Sequence, residues 1–521
     1  MKSIIYSPPP SNAQHIVKAL GLAAFSCLLS SGILTGGGLE FKPLQMITFA
    51  ALLWFSPIAP RFRNWATIPF SIILSLYFPV GFIYGIPGDG QIASLFATDP
   101  LEAREFLQTI PFSFFLAPPL LIAGIFLFYR LQSRWGLAPS VAGKPRAQKA
   151  AGIGLLIVCF ALAWVCKDFR PLNRGIKNLR TALVSNYKLK HLDRTTVWKI
   201  TGSHPKHRIS LLVIDESVRR DYMHAYGYPV ANTPYMESMP GRIYEGLESE
   251  GDHTVTALKK ALTYTGATGK DVDYTLNLVD LAREAGYSTA WFSNQGIHSK
   301  HDTPITAVAS GADQKIWLKY GKNGNKNFYD AELLPLIEKE ITRKDNRPKL
   351  IVAHLVGSHP LICDRLSDKS GLVTTDPKYI DIACYSETIR ESDKWLKNAR
   401  EMLEKSGESF SLLYFSDHGL STNTIKGTVT LKHDPSLGNH RDVPLYMTSS
   451  EDQGIERIHG RRYGRNLTEG VMAWLGITTK QIPNPRLLFR AESDTDAPDL
   501  ETLIKGRPAD PVIDLTSLGK K

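Results

Sequence analysis

Two short apolar runs in this chain end in residues equipped for chemistry. Ile209–Ile214 is followed by Asp215 and Glu216, and Ser411–Phe415 by Ser416, Asp417, His418 and Gly419. If both runs are strands of one parallel sheet, their carboxyl ends form an edge where ligands bind. Two carboxylates and an imidazole meeting there suit a divalent, zinc-type site. One acidic residue after a strand is most often a helix cap. Asp-His-Gly directly after a buried strand is harder to explain that way.

The elements that must position these residues lie beyond residue 206, where short apolar runs alternate with helical patterns. Ile209–Ile214, Ser288–Phe292, Leu350–Val356, Ser411–Phe415 and Pro444–Met447 read as buried strands. Tyr274–Ala285, Ala331–Thr342 and Asp381–Lys405 read as helices, with Gly286 and Gly407 as stops. Such alternation predicts an α/β domain with a mostly parallel sheet and helices on both faces. No internal repeat or long low-complexity tract interrupts it.

The first third of the chain is different. Ala19–Leu39, Pro43–Pro60, Trp65–Gly88, Thr109–Tyr129 and Ala150–Cys166 contain no charged residue, and each spans the hydrocarbon core of a bilayer or nearly so. The expectation is a five-helix membrane domain over residues 1–170, a basic linker over 171–205 and one soluble domain over 206–521. Five successive spans argue against a cleaved secretory signal. The net charge of +11 divides as +7, +6 and −2 over those three segments. A nearly neutral soluble domain removes the main support for a nucleic-acid partner. The basic loops Arg61–Asn64 and Arg130–Lys149 are cytoplasmic under the positive-inside rule, which puts the soluble domain outside the cytoplasm. The linker is then either a solvated tether or a segment drawn to anionic headgroups. Cys27, Cys159 and Cys166 fall in apolar spans as small packers, and Cys363 and Cys384 form the one pair in the soluble domain. In an oxidising compartment that pair is expected to close a disulfide, two buried free thiols being the alternative.

Four segments carry a family resemblance: Leu-Val-Ile-Asp-Glu-Ser-Val-Arg-Arg-Asp (212–221), Gly-Tyr-Pro-Val-Ala-Asn-Thr-Pro (227–234), Gly-Ser-His-Pro (357–360) and Ser-Asp-His-Gly (416–419). In order and spacing the chain resembles the phosphoethanolamine transferases of Gram-negative inner membranes, which belong to the alkaline phosphatase and sulfatase superfamily. The resemblance spans nearly the whole chain, including the outer-face segment 91–103. It implies transfer of phosphoethanolamine from phosphatidylethanolamine in the bilayer to lipopolysaccharide (core or lipid A) or a related periplasmic glycan, with the catalytic domain in the periplasm. It also implies one zinc ion, or two, and a covalent phospho-threonine intermediate.

Carried over by position, the resemblance implies Glu216, Thr256, Asp417 and His418 around zinc. Thr256 in Asp-His-Thr-Val-Thr-Ala-Leu (252–258) is the nucleophile, with Thr254 its close competitor. Zinc coordination would lower the pKa of a hydroxyl that is otherwise a poor nucleophile at neutral pH. His359 and His433 match histidines near the phosphoryl group or a second metal, although His440 lies close to His433. His298 and Lys300 fall where relatives bind the headgroup phosphate. The chain departs from the family at Asp215, where relatives often carry glycine; a carboxylate there would crowd the metal or buttress its ligands. It also has one potential disulfide where lipid A-modifying relatives have several, which leans toward the branch acting on core sugars or periplasmic glucans. Phosphoglycerol transferases and sulfatases share the fold. Sulfatases need a Cys or Ser nucleophile in a modification motif, and none replaces the threonine here. A non-catalytic lipid-binding protein would tolerate loss of ligands, and the full set is present. Gly266–Lys270 lacks the spacing of a phosphate loop, and Gly36–Gly38 reads as a turn between spans.

Overall fold

The computed structural model describes residues 12–139 except 40, 87–91, 93–99 and 109. It then describes isolated positions between 150 and 192, and 197–518 except 267–271, 297–302, 320–327, 426, 435–436, 486–487, 495–505 and 509. The chain divides into two compact units, Met1–Asp89 with Leu107–Arg180, and Gly90–Phe106 with Thr181–Lys521.

The first unit is helical. Among its described residues Ala13–Gly36 and Phe112–Arg134 are long and apolar enough to cross a membrane. Pro60–Leu76 and Phe78–Tyr84 form a pair bent by 65°, a third span if counted as one. Pro79, one residue into the second helix of that pair, removes a backbone donor at the break and accounts for the bend. Pro43–Ile58 is apolar but shorter than a full span. Of the five expected spans, the first and fourth therefore match full-length helices and the third is the bent pair. The second is short, and the fifth lies almost wholly outside the described residues. Leu22, Leu29 and Ile33 pack with Phe49, Leu53, Ile125 and Phe128 to form the interior.

The second unit is built on a nine-stranded sheet among the described residues. Its strands are β2 (Ile209–Asp215), β3 (Gly241–Glu248), β4 (Ser288–Ser293), β5 (Gln314–Trp317), β6 (Lys349–His354), β7 (Phe410–Ser416), β10 (Asp442–Ser449), β11 (Ile455–Ile458) and β12 (Arg462–Tyr463). They lie in the order β11-β3-β10-β7-β2-β6-β4-β5, with β12 also on β3. The sheet is mixed. Strand β10 runs antiparallel to both β3 and β7, and the other pairings are parallel. Strand β1 (Ile200–Ser203) pairs antiparallel with β13 (Ile477–Thr479), so residues expected in the linker belong to a small second sheet. Strands β8 (Ser421–Ile425) and β9 (Thr428–Lys432) form an antiparallel hairpin.

Every residue of β2 and β7 is buried because the sheet is covered on both faces. Ile209, Leu211 and Val213 of β2 join one core, and Leu212 and Ile214 the other. The first core is closed by Ile380–Lys405, which presents Ile382, Ile389, Leu396, Ala399 and Leu403, and by Ile337 and Ile341 of Leu334–Thr342. The second is closed by Thr254–Ala261, Leu278–Glu284 and Leu467–Trp474. Gly286 and Gly407 follow their helices with positive φ, as helix stops do.

Candidate metal centre and active site

Strands β2 and β7 are parallel neighbours in a register that pairs Asp215 with Ser416, so Glu216 and Asp417–His418 leave the sheet side by side. Glu216, Asp417 and His418 are buried, and one ligand atom from each lies within 4.8 Å of the others. The Nε2 of His418 is 3.2 Å from Glu216 Oε1 and 3.5 Å from Asp417 Oδ2. The Oδ1 of Asp417 accepts the Ser217 and His418 backbone N–H groups, while Oδ2 has no hydrogen-bond partner. Ser217 sits at φ 64, a left-handed conformation costly for serine, and its hydroxyl donates to Glu216 Oε1 at 2.7 Å.

The electrostatics call for a cation. Burial and then the Glu216 charge push Asp417 well above the usual carboxylate range. Burial opposes ionisation of Glu216 too, but the hydrogen bond and charge of His418 outweigh it and hold Glu216 low. Burial likewise opposes a charged His418, yet the two carboxylates raise it to about 10. Two buried carboxylates, an unsatisfied oxygen and an imidazole nitrogen fit a zinc-type ion in donor chemistry and charge.

The structure separates the two candidate threonines. Thr254 is the first residue of the helix Thr254–Ala261, and its hydroxyl donates to Glu216 Oε2 at 3.0 Å and lies 3.5 Å from His418 Nε2. Thr256 turns away, its hydroxyl donating to the His253 carbonyl at 2.8 Å. Residues two apart on a helix differ by about 200° around its axis, so only one of them faces the cluster. Of the expected nucleophile Thr256 and its competitor Thr254, it is the Thr254 hydroxyl that lies beside the cluster.

His433 reaches the cluster because the β8–β9 hairpin pairs Ser421 with Lys432 and returns the chain beside His418. Its ring stands 4.9 Å from that of His418 and stacks on His253 at 4.4 Å. Its Nδ1 donates to the Asp252 carbonyl at 2.9 Å, and burial, with His253 and His418 adding to it, holds it well below the usual histidine range. His440, its sequence neighbour, is buried with neither ring nitrogen hydrogen-bonded. His359 interacts electrostatically with Glu216 and His433. Burial and the Arg365 guanidinium depress it to about 3. His298 and Lys300 lie outside the described residues. Gln295, just past β4, donates to Glu216 Oε2 at 3.3 Å and to the Leu355 carbonyl at 2.8 Å. A polar side chain three residues beyond an expected buried strand was the available signal for it.

Asp215 stands outside the ligand cluster. Its Oδ1 accepts the Glu216 N–H at 2.9 Å and its Oδ2 the Tyr414 hydroxyl at 2.8 Å, so it orients the backbone that carries Glu216. Gly357, at φ +45, packs against it so closely that an added Cβ would lie 2.1 Å from Asp215 Oδ1. Gly357→Ala is therefore expected to destabilise the domain by on the order of 2 kcal/mol or more and to lower its metal content. Thermal unfolding and metal analysis of the purified variant check both effects.

Cys363 and Cys384 are joined, with a Cα–Cα distance of 5.1 Å and a sequence separation of 21. The bond ties the short turn Ile362–Asp364, just after His359, to the buried face of Ile380–Lys405. In the chain-entropy account, closing that loop stabilises the domain by about 3 kcal/mol. Cys363→Ser is expected to lower Tm while leaving metal content intact, because the ligand cluster of Glu216, Asp417 and His418 contains neither sulfur. Differential scanning calorimetry beside metal analysis separates the two.

The sulfatase family model matches residues 208–477, which contain all of these groups. A Haemophilus influenzae protein named as a phosphoethanolamine transferase is 34% identical over 412 residues, covering 77% of this chain and 83% of its own length. Phosphoethanolamine transferase OpgE of Escherichia coli K12 is 31% identical over 481 residues, covering 88% of this chain and 89% of its own. The integral membrane lipooligosaccharide phosphoethanolamine transferase A (EptA) of Neisseria meningitidis shares the fold, with a TM-score of 0.64 at 14% identity over 90% of this chain and 98% of that one. Matched along most of its length, and carrying the buried Glu216–Asp417–His418 cluster within the matched domain, the chain belongs to the phosphoethanolamine transferases of the alkaline phosphatase and sulfatase superfamily.

Proposed function

We propose that the protein moves phosphoethanolamine from phosphatidylethanolamine to lipopolysaccharide (core or lipid A) or a related periplasmic glycan through a covalent intermediate on Thr254. The observation that carries this reading is the Thr254 hydroxyl, hydrogen-bonded to Glu216 at the mouth of a buried carboxylate–imidazole cluster. Glu216, Asp417, His418 and Thr254 Oγ1 would hold the metal. Zinc bound there supplies a lowered hydroxyl pKa at Thr254 and neutralises charge on the phosphoryl oxygens.

In the first step Thr254 Oγ1 forms a bond to phosphorus and the bond to the diacylglycerol oxygen breaks. The hydroxyl proton leaves Thr254, and the departing diacylglycerol oxygen gains one. In the second step an acceptor oxygen bonds to the same phosphorus, Thr254 Oγ1 departs, and the acceptor proton returns to it. His433 suits the proton transfers. Its Nδ1–H is committed to the Asp252 carbonyl and its pKa is depressed by burial first, so Nε2 keeps a free lone pair. His359, Lys300 and His298 are proposed to hold phosphate oxygens.

The distribution of charge and apolar stretches supports five spans over residues 1–170, a cytoplasmic amino terminus and a catalytic domain in the periplasm, joined by 171–205. A membrane anchor suits a donor that is itself a bilayer lipid. Mass spectrometry of lipopolysaccharide and periplasmic glycans from cells with and without the protein tests the reading. One added phosphoethanolamine on a specific fragment is the expected result, and unchanged glycans and lipids would contradict it.

A further inference from the structure

Ser217 follows Glu216 in a left-handed conformation, φ 64, that few residues with a side chain adopt. In that conformation its N–H donates to Asp417 Oδ1 at 3.1 Å and its hydroxyl donates to Glu216 Oε1 at 2.7 Å. One strained residue therefore touches both carboxylates of the cluster. Such strain persists only where the surroundings impose it, and a relaxed Ser217 would turn both groups away from the carboxylates.

The surroundings here include Tyr385, a fully buried residue of the helix Ile380–Lys405. Its hydroxyl donates to the Ser217 carbonyl at 2.6 Å and accepts the Arg219 N–H at 2.8 Å. A carbonyl can only accept and a backbone N–H can only donate, so the partners fix the direction of both bonds. The hydroxyl bridges the turn from one side of Val218 to the other. Its ring meets that of Tyr222 edge-on, with centroids 5.3 Å apart. One turn further along the helix, Thr388 Oγ1 lies 2.8 Å from the Ser358 hydroxyl, and the Ser358 N–H donates to the Glu216 carbonyl at 2.9 Å. The helix thus reaches the carbonyls of both Glu216 and Ser217, one through Ser358 and the other directly.

We propose that Tyr385 is a positioning residue for the metal centre, its hydroxyl holding Ser217 in the left-handed turn that presents Glu216 and Asp417 together. The proposal rests on the metal reading of the cluster and not on the identity of donor or acceptor. Phenylalanine keeps the ring and has no hydroxyl, so Tyr385→Phe removes the bridge and leaves the packing against Tyr222 in place. The Ser217 carbonyl and the Arg219 N–H then lose that partner in a buried setting, and the turn gains by relaxing. Relaxation draws Ser217 off the carboxylates, and ligands deprived of such outer partners bind metal more weakly.

The test uses the full chain purified in detergent, stripped by chelation and titrated with zinc, then with cobalt as a spectroscopic probe. Tyr385→Phe is expected to raise the zinc dissociation constant by roughly 10- to 100-fold and to shift the cobalt absorption bands. Tyr287→Phe is the control. The Tyr287 hydroxyl donates to the Leu475 carbonyl, and the residue precedes the first residue of β4, at the sheet edge opposite the cluster. Its loss should lower Tm and leave zinc affinity and the cobalt bands unchanged. Unchanged zinc affinity and cobalt bands in a folded Tyr385→Phe, with only Tm lowered, would overturn the proposal and leave the metal reading standing. Unmodified protein that takes up neither ion would overturn the metal reading and the proposal with it. Hydrogen exchange in the unmodified, metal-free chain covers the case in which Tyr385→Phe does not fold. The Arg219 amide should exchange slowly there, and exchange at the rate of an exposed loop amide would overturn the proposal.

Discussion

Thr254→Ala is expected to abolish transfer, lowering kcat by roughly 10⁴- to 10⁶-fold as removal of a covalent nucleophile does. Thr256→Ala is expected to keep kcat within a few-fold. The contrast follows from where the two hydroxyls point: Thr254 donates to Glu216 Oε2, and Thr256 to the carbonyl of its own helix cap, His253. Losing the Thr256 hydrogen bond costs about 1 kcal/mol of stability, since the carbonyl it satisfied is left in a buried setting. Thr254→Ser should retain a hydroxyl and hence a measurable fraction of activity. Release of diacylglycerol from phosphatidylethanolamine by the purified variants measures the first half of the reaction directly. Equal loss in Thr254→Ala and Thr256→Ala would contradict the assignment.

Removing the metal is expected to have an effect of similar size. Exhaustive chelation should silence the enzyme and added zinc should restore it; Asp417→Ala and His418→Ala should lose both metal and activity. Full activity after chelation would contradict the account. The pH dependence of zinc binding has a definite sign. Without metal, the neighbouring carboxylates outweigh burial and raise His418 to about 10, so binding must expel the proton that the cluster holds. Affinity should therefore fall as pH falls, and zinc uptake in weakly buffered solution should acidify it. Titration of the zinc-free chain at several pH values measures both.

The central strands were legible because burial on both faces gives them unbroken apolar runs. Strands β2, β4, β6, β7 and β10 all begin and end within a few residues of the expected positions. The edge was not legible. Strand β3 reads Gly-Arg-Ile-Tyr-Glu-Gly-Leu-Glu, and its register against β10 shifts where Gly246, at φ +91, inserts an extra residue. Strands β11 and β12 carry Arg457, Arg462 and Glu456, and only their pairing with β3 makes them strands. Within the site, Glu216, Asp417 and His418 follow directly from strands whose ends could be read. Thr254 and Thr256 could not be told apart, because choosing between them requires the rotation of a helix whose apolar pattern fits either. Ser217, Gln295 and Arg365 owe their places to side-chain contacts across separate segments, which no local pattern encodes. The spans of the first unit were partly legible. The absence of charge marked the apolar stretches, but Pro79 divides the third into two helices and the second falls short of a full crossing.

The central claim is that phosphoethanolamine rests on Thr254 between the two half-reactions. Cleavage after Arg242 and Lys259 yields a single tryptic peptide that holds both Thr254 and Thr256. Protein incubated with phosphatidylethanolamine in the absence of acceptor, then quenched in acid and digested, should give that peptide with the added mass of one phosphoethanolamine group. Fragmentation should place the group on Thr254, and an added acceptor should discharge it. An unmodified peptide under conditions where diacylglycerol is released, or the group on Thr256, would contradict the account.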